Sequence, residues 1–255
     1  MFFLDVQGTL ISDLDKSLIK GAKELIDFLN TKNLPYIVIT NNTKKLDFLK
    51  DLRQKGLEIK KDAYIDPFCV LNRVLKPCKV AAFGANEFLC SLEKLDFELN
   101  FTSPDALLIA SYDDFKFQDF ASMIELAKKG IKFIFMHETS IYKKDNRLYP
   151  GVGSILAMLK NAVSLEYEVV GKPSKAFYQE ALKLLRKQNP KADFRDLTIL
   201  SDDFKGDLFQ AKELGMKTLL VLSGKLSDTK GINTHLLDGV YPSVLEFLRE
   251  LRCQI

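Results

Sequence analysis

Four stretches of the sequence place a side chain that can do chemistry directly after an apolar run. They contribute Asp5 in "FFLDVQGT", Thr40 in "YIVITNNT", Lys172 in "YEVVGKPS" and Asp202 in "LTILSDDFKGD". Phosphoryl transfer needs such a set: a nucleophile, donors for the phosphate oxygens, a cation against charge repulsion and a metal ion. The residue types therefore predict a phosphoryl-transfer site.

In such a site the Asp5 carboxylate would attack phosphorus and become an aspartyl phosphate. The Thr40 hydroxyl and the Lys172 ammonium would hold the phosphate oxygens through hydrogen bonds, those of Lys172 being charge-assisted. The nucleophile and the phosphate are both anions, so they repel strongly at contact distance unless a cation lies between them.

That cation is predicted to be Mg²⁺, because hard divalent ions prefer carboxylate and carbonyl oxygens. Asp5 and Asp202 are the predicted ligands. Asp203 or Asp207, from the same "SDDFKGD" stretch, would lie in the first or second coordination shell.

Gln7 raises a difficulty for this hypothesis. Residues two apart in an extended chain point to the same side, so Gln7 faces the same way as Asp5. A nucleophilic site normally has a proton-handling group there, and an amide cannot carry a proton. The sequence therefore predicts an active site without its proton shuttle.

Each element alone also has a structural explanation. An acid at a strand end is often a helix cap, and Thr-Asn-Asn is ordinary turn chemistry. The joint occurrence of all of them, each after an apolar strand, favours the functional interpretation. The most informative piece is Lys172 followed by Pro173, because a lysine stopped by proline after a buried strand is poorly explained as a solvated charge.

The elements that must position these residues alternate along the chain. Short continuous apolar runs are typical of buried parallel strands. Between them lie helical stripes such as Ala22, Leu25, Ile26 and Leu29. This alternation predicts an α/β protein with parallel sheets, whose catalytic groups lie beyond the carboxyl ends of the strands.

Polar residues after strands concentrate in the first and last thirds of the sequence. The stretch between them reads as a separate α/β unit. We therefore predict a core domain of residues 1–75 and 171–255, with residues 76–170 inserted as a cap. Asp5, Thr40, Lys172 and Asp202 would then converge on one sheet.

Composition excludes several other classes. The 255 residues are 47% hydrophobic and 28% charged, which is typical of a globular protein. The net charge is +3 and the lysines are scattered among acids, so no nucleic-acid partner is predicted. Four cysteines without a C-x-x-C pair and two histidines do not predict a zinc site.

No apolar stretch approaches the roughly 20 residues that span a bilayer, so no membrane partner is predicted. No signal peptide precedes the first strand, which predicts reduced thiols and a cytoplasmic location.

These motifs together resemble the haloacid dehalogenase (HAD) superfamily, in particular its NagD-like and 4-nitrophenylphosphatase-like members with a large α/β cap. "LDVQGTL" resembles the first motif, "ITNNT" the second, "VGKPS" the lysine motif, and "SDDFKGDLFQAKELGMKTLLVLSG" the acidic motif with its following strand. "PGVGSILAML" is similar to part of the cap. The resemblance covers essentially the whole chain and implies a Rossmann-like core.

Two positions depart from the family pattern. Ser201 replaces the usual glycine before Asp202, and Gln7 replaces the second aspartate, which serves as the general acid/base. In the family that second residue also gives its backbone carbonyl to the metal, and this contribution survives the change of side chain. General acid/base assistance is worth about 10²–10⁴ in rate, so the enzyme should be slow.

The resemblance implies a Mg²⁺-dependent phosphatase of small phosphorylated metabolites, in which a homodimer is possible. The implied catalytic residues are Asp5, Gln7, Thr40 and Lys172; the substrate-binding residues are Thr9, Asn41 and His137; the metal ligands are Asp5, Gln7, Asp202 and Asp207. The alternative is a catalytically silent protein of the same fold that binds a phosphorylated ligand or a protein partner. A phosphoacceptor receiver domain fits poorly, because receivers are about half this length.

Overall fold

A computed structural model describes residues 1–144 and 147–254. The described strands are, in chain order, β1 Phe2–Asp5, β2 Tyr36–Ile39, β3 Tyr64–Ile65, β4 Lys79–Phe83, β5 Glu98–Leu99, β6 Ala106–Ile109, β7 Lys132–Phe135, β8 Ile141–Lys144, β9 Arg147–Pro150, β10 Tyr167–Val169, β11 Thr198–Ser201, β12 Lys217–Val221 and β13 Gly239–Tyr241. The described α-helices are α1 Ala22–Thr31, α2 Phe48–Gln54, α3 Pro67–Val74, α4 Asn86–Glu93, α5 Phe117–Lys128, α6 Val152–Ala162, α7 Lys175–Leu185, α8 Phe209–Glu213 and α9 Val244–Gln254.

These elements form two compact units. The first consists of Met1–Thr40, Asp47–Ile65 and Tyr178–Ile255, and the second of Asn41–Leu46 and Asp66–Phe177. The predicted α/β fold with parallel sheets is confirmed, since each unit is built on a parallel sheet.

The first unit contains a sheet with the strand order β13-β12-β11-β1-β2-β3. The chain moves outward from β1 to β3 and later from β11 to β13 on the other side. The order therefore reverses between β1 and β11, and open parallel sheets bind ligands beyond the carboxyl ends of the strands at such a point. Asp5 is the last residue of β1, and Asp202 directly follows β11.

Apolar burial explains why these residues form this unit. All four residues of β1 and of β2 are buried, as expected of strands covered on both faces. The predicted stripe of α1, formed by Ala22, Leu25, Ile26 and Leu29, is buried as well. The polar site residues therefore sit at the end of a rigid, dry sheet.

The second unit contains a sheet with the order β10-β7-β6-β4-β5, together with the antiparallel hairpin of β8 and β9. Lys172 follows β10, which pairs with β7 through Val169 and Phe135. The expectation that Lys172 and Asp5 follow strands of one sheet is therefore wrong. A buried parallel strand has the same sequence pattern in either sheet, so the pattern did not reveal the partner of β10.

The unit boundaries also differ from those predicted. Residues 66–75 and 171–177, which the sequence assigned to the core, belong to the second unit, as do residues 41–46. Helix α3 is one reason, because its Phe68 ring stacks on Phe88 of α4 at 6.1 Å between ring centroids. Within the described ranges, no helix combines the length and apolarity that a bilayer crossing requires.

Candidate active site

Asp5 ends the central strand of the first unit and is 4% exposed. The Thr9 hydroxyl donates a hydrogen bond of 3.4 Å to its Oδ2. Thr9 itself is fully buried in a tight turn. Gly8 makes this turn possible, because its φ of 71° is a backbone conformation that is strained for residues with a side chain. Thr9, predicted to bind substrate, thus orients the predicted nucleophile.

Gln7 and Thr40 are directly bonded. The Thr40 hydroxyl donates to Oε1 of Gln7 at 2.9 Å, and the backbone N–H of Thr40 donates to the carbonyl of Ile65. Thr40 is fully buried, whereas Gln7 is partly exposed. The two predicted catalytic side chains are therefore held together at the ends of neighbouring strands.

Asp202 is 1% exposed and lies in a close-fitting cradle of backbone. A Cβ on Gly8 would lie 2.1 Å from its Oδ2, and a Cβ on Gly224 would lie 2.0 Å from the same atom. The backbone N–H of Lys225 donates to Oδ2 at 2.7 Å. Only glycines at positions 8 and 224 allow this approach.

Burial raises the pKa of the Asp202 carboxyl well above its usual range, and the negative charge of Asp5 adds to that shift. Lys225 opposes the shift through its charge and its N–H group. The structure therefore brings two buried carboxylates close enough for the charge of Asp5 to raise the pKa of Asp202. Such a pair fits a divalent cation.

The other two acids of the motif are engaged elsewhere. Asp203 accepts the backbone N–H of Gly206 at 2.8 Å and pairs with the ammonium of Lys225. Asp207 is buried, and its Oδ2 accepts a hydrogen bond of 2.6 Å from the Ser201 hydroxyl. These contacts stabilise a π-helical turn, Phe204–Leu208, of a kind often found at functional sites.

Several residues of this site were missed by sequence reasoning. Ser201 was interpreted only as a replacement for the family's glycine, yet its hydroxyl also accepts the N–H of Asp203 at 3.1 Å. Tyr178 is fully buried and donates to the backbone carbonyl of Asp207 at 3.2 Å. Lys225 had the same signal as the others, an apolar strand before it, but it was not among the predicted site residues.

The second unit holds the other predicted residues. Lys172 is 3% exposed, and the side chain of Asn41 bonds to its backbone. His137 is also buried. Its Nε2 lies 2.9 Å from the hydroxyl oxygen of Ser111, and its Nδ1 accepts a hydrogen bond from the backbone N–H of Thr139. In the tautomer that lets Nδ1 accept this backbone N–H, Nε2 carries the ring proton and donates to Ser111.

The predicted Mg²⁺ ligands can be compared with this geometry. Among the residues that the structure describes, no three His, Cys, Asp or Glu side chains are grouped so as to hold a metal by themselves. A cation beside Asp5 and Asp202 would therefore need another kind of oxygen, and the backbone carbonyl of Gln7 is the one that the resemblance implies. The donor set suits Mg²⁺, which usually takes one or two carboxylates and keeps several waters.

Comparisons with known proteins agree with this architecture. The family model described as haloacid dehalogenase-like hydrolase matches residues 2–98, and a second one, described as HAD hydrolase-like, matches residues 169–247. The human haloacid dehalogenase-like hydrolase domain-containing protein 2 is 27% identical over 237 residues, which cover 90% of this chain and 87% of that protein.

Solved structures show the same fold. The p-nitrophenyl phosphatase from Archaeoglobus fulgidus has a TM-score of 0.79 at 21% identity, and covers 98% of both chains. NagD from E. coli K-12 has a TM-score of 0.73 at 22% identity, and covers 96% of both chains. The chain belongs to the haloacid dehalogenase-like hydrolases, and its fold is that of their NagD-like members.

Proposed function

We propose that this protein is a Mg²⁺-dependent phosphatase of small phosphorylated metabolites that acts through an aspartyl phosphate on Asp5. One observation carries the proposal: Asp5 ends the central strand at the point where strand order reverses, buried beside Asp202, whose pKa it raises. A carboxylate at that point of the sheet can act as a nucleophile, and two neighbouring carboxylates can bind a cation. The family of hydrolases to which the chain belongs supports the same chemistry.

The reaction has two displacements at phosphorus. A carboxylate oxygen of Asp5 forms a bond to phosphorus while the ester P–O bond breaks, and the leaving oxygen departs with the electron pair. Water then attacks the same phosphorus, the bond to Asp5 breaks, and the Asp5 carboxylate is regenerated with inorganic phosphate. The leaving oxygen takes a proton from solvent, and the attacking water loses one to solvent.

This chain's own residues orient and hold the reactants. Thr9 holds Asp5 through its hydrogen bond to Oδ2, and Thr40 holds Gln7. Mg²⁺, when bound by Asp5, Asp202 and the Gln7 carbonyl, would supply positive charge against the repulsion between carboxylate and phosphate. The resemblance assigns phosphate binding to Lys172, and the metal role of Asp207 also stays a prediction.

Gln7 limits the proton transfers. Its amide can orient water or a leaving group but cannot donate or accept a proton in the transition state. Good leaving groups, such as aryl or acyl phosphates, suffer least in the first displacement. The name of the Archaeoglobus relative, a p-nitrophenyl phosphatase, makes an aryl phosphate the natural first substrate to test.

The test is to incubate the protein with Mg²⁺ and p-nitrophenyl phosphate, and to measure both phosphate release and acid-stable covalent phosphate. Slow release with detectable phosphoenzyme is expected. Both signals should vanish in Asp5→Asn, which has the same shape and no nucleophilic carboxylate. Release that persists in Asp5→Asn would contradict the proposal.

The second candidate is a catalytically silent protein that binds a phosphorylated ligand or a protein partner. The bond between Thr40 and the Gln7 amide favours it, because the position that should handle protons is occupied by a fixed neutral group. Binding of phosphate without turnover or phosphoenzyme, on a panel of phosphorylated metabolites, would support this candidate. A cytoplasmic location, a homodimer and the absence of nucleic-acid and membrane partners stay predictions.

A further inference from the structure

The side chain of Asn41 forms a two-point contact with the backbone of Lys172. The N–H of Lys172 donates to Oδ1 of Asn41 at 2.8 Å, and Nδ2 of Asn41 donates to the Lys172 carbonyl at 3.2 Å. Both residues lie in the second unit, 131 positions apart in sequence. An amide that matches both polar groups of one residue fixes where the Cα of that residue lies.

The surroundings of Lys172 reinforce this contact. A Cβ on Gly171 would lie 2.7 Å from Oδ1 of Asn41 and 2.2 Å from the carbonyl of Met136, so the chain before Lys172 fits closely against both. The N–H of Glu138 also donates to the Lys172 carbonyl at 3.1 Å. The backbone of Lys172, from which its side chain extends, is therefore rigidly held.

Asn41 uses the rest of its amide inside the protein as well. Its Nδ2 donates to the Thr139 hydroxyl at 3.3 Å, in addition to the Lys172 carbonyl. The amide oxygen thus accepts a hydrogen bond from one backbone N–H, and the amide nitrogen donates hydrogen bonds to two oxygens. These are the contacts of a residue that organises its neighbours, and the sequence had assigned Asn41 to substrate binding.

We propose that Asn41 is a positioning residue for Lys172, an inference that rests on the proposed function of Lys172 in phosphate binding. The ammonium group lies at the end of a flexible side chain, so its position depends on a fixed backbone and a buried stem. An error of about 1 Å in a binding group can cost about 10²-fold in rate. Asn41 acts on the phosphate only through Lys172.

The sharpest test is Asn41→Asp, which keeps the shape of the side chain and the acceptor for the Lys172 N–H. It removes the donor and places a carboxylate oxygen against the Lys172 carbonyl, so the two-point contact is broken at one point. The affinity of the folded protein for inorganic phosphate in the presence of Mg²⁺ should fall by about tenfold or more. Calorimetric titration measures it without turnover.

Asn42→Asp is the matched control. Asn42 is the next residue, and its amide bonds to Lys45 and Lys44 in its own turn. The substitution adds the same negative charge to the same loop. The phosphate affinity of the Asn42→Asp protein should stay within about twofold of the wild type, because substitutions away from such a contact usually change free energies by less than about 0.5 kcal/mol. An equal loss in both variants would assign the effect to charge and overturn the proposal.

A double-mutant cycle with Lys172→Met separates positioning from general structure. If Asn41 acts through Lys172, Asn41→Asp should cause no further loss of phosphate affinity once the ammonium is gone. A further loss of the same size in the Lys172→Met background would overturn the proposal, as would unchanged phosphate affinity in either single variant. Circular dichroism and the unfolding midpoint establish that each variant is folded.

These outcomes are distinct from failure of the proposed function. The proposed function depends on Asp5 and is lost if the wild type forms no phosphoenzyme and releases no phosphate. The inference about Asn41 fails if phosphate affinity is insensitive to Asn41→Asp while Asp5-dependent turnover persists.

Discussion

The Thr40 hydroxyl donates a hydrogen bond of 2.9 Å to Oε1 of Gln7, and so joins the ends of two neighbouring strands of the first unit. Strands β1 and β2 pair in parallel with Asp5 opposite Ile39, which brings the residues just beyond them side by side. Gln7 is therefore held as a neutral hydrogen-bond partner at the position where the family has a proton shuttle.

Replacement of Gln7 by aspartate should restore that shuttle. We expect Gln7→Asp to raise the turnover of an aryl phosphate at saturating Mg²⁺ by at least about tenfold, toward the 10²–10⁴ typical of general acid/base assistance. The gain should come from faster hydrolysis of the aspartyl phosphate, so the phosphoenzyme level should fall. Steady-state turnover and acid-quenched phosphoenzyme are the measurements.

Gln7→Asn is the matched control for this change, because it shortens the side chain equally and keeps the amide. It should turn over no faster than the wild type. A wild type that already turns over at about 10 s⁻¹, an ordinary enzyme rate, would show that another group handles the proton. A folded but inert Gln7→Asp protein would favour the silent binding protein.

Asp202→Asn should separate metal binding from folding. In metal-free protein the variant should be more stable than the wild type, because burial and the charge of Asp5 both raise the pKa of the Asp202 carboxyl and so disfavour its ionised form. The amide oxygen can still accept the N–H of Lys225. With Mg²⁺, the stabilisation that the wild type gains should disappear.

Thermal unfolding with EDTA and with Mg²⁺ measures both effects. Gln7→Ala is the comparison, because the backbone carbonyl implied as a metal ligand does not depend on its side chain. It should keep most of the Mg²⁺-induced shift. If Gln7→Ala loses that shift while remaining folded, the assigned role of the Gln7 carbonyl is wrong.

The sequence predicted the part of the site that depends on local pattern. Asp5 ends its strand, Thr40 and Asp202 directly follow theirs, and the carboxyl ends of parallel strands meet at one edge of a sheet. The α/β class follows from the same alternation of strands and helices. These features are encoded within a few residues of where they appear.

What the sequence could not predict depends on contacts between distant residues. Strand β10 pairs with β7 in the second unit. This pairing could not be predicted, because nothing within "YEVVG" identifies the neighbouring strand. The contact between Asn41 and Lys172 spans 131 positions, and an asparagine in a turn gives no sign of its partner. Ser201 was interpreted only as a departure from the family's glycine, whereas its hydroxyl bonds to Asp207.

Lys225→Met should tighten Mg²⁺ binding. The Lys225 ammonium pairs with Asp203, and although burial opposes its charge, Asp203 and Asp202 raise its pKa, so it stays charged beside the acidic motif. Removing this positive charge lowers the electrostatic repulsion that a bound cation meets, so Mg²⁺ should bind several-fold more tightly. The backbone N–H that holds Asp202 is unaffected.

The measurement is a titration of the unfolding midpoint with Mg²⁺ at low ionic strength, repeated at high salt, where the difference should shrink. Lys183→Met is the control. It removes the same positive charge, but from a lysine that pairs with Glu180 on helix α7. Weaker Mg²⁺ binding in Lys225→Met would show that the ion pair with Asp203 organises the metal site rather than opposing the cation.

Asp238→Asn should weaken the edge of the first sheet in a pH-dependent way. Oδ2 of Asp238 accepts the backbone N–H of Thr218 at 2.7 Å, and its carboxylate pairs with Lys212 at 2.8 Å. Partial burial raises the pKa of Asp238, but the bonds from Lys212 and Thr218 outweigh it and the pKa is lowered. Because the folded protein favours the ionised form, the stabilisation is present above the unfolded pKa of about 3.9 and is lost as the pH falls below it.

The expected loss in Asp238→Asn at pH 7 is at most about 1 kcal/mol, since both partners are partly exposed and solvent screens the pair. The difference from the wild type should shrink as the pH is lowered below about 3.9, because the wild-type carboxyl then becomes protonated and resembles the amide. Urea unfolding at several pH values measures it. Asp228→Asn, at an exposed residue whose contact with Lys230 spans 4.0 Å, should leave the free energy of unfolding unchanged throughout. A deficit in Asp238→Asn that stayed constant into acid would mean that side-chain shape at the Thr218 contact, rather than charge, stabilises this edge.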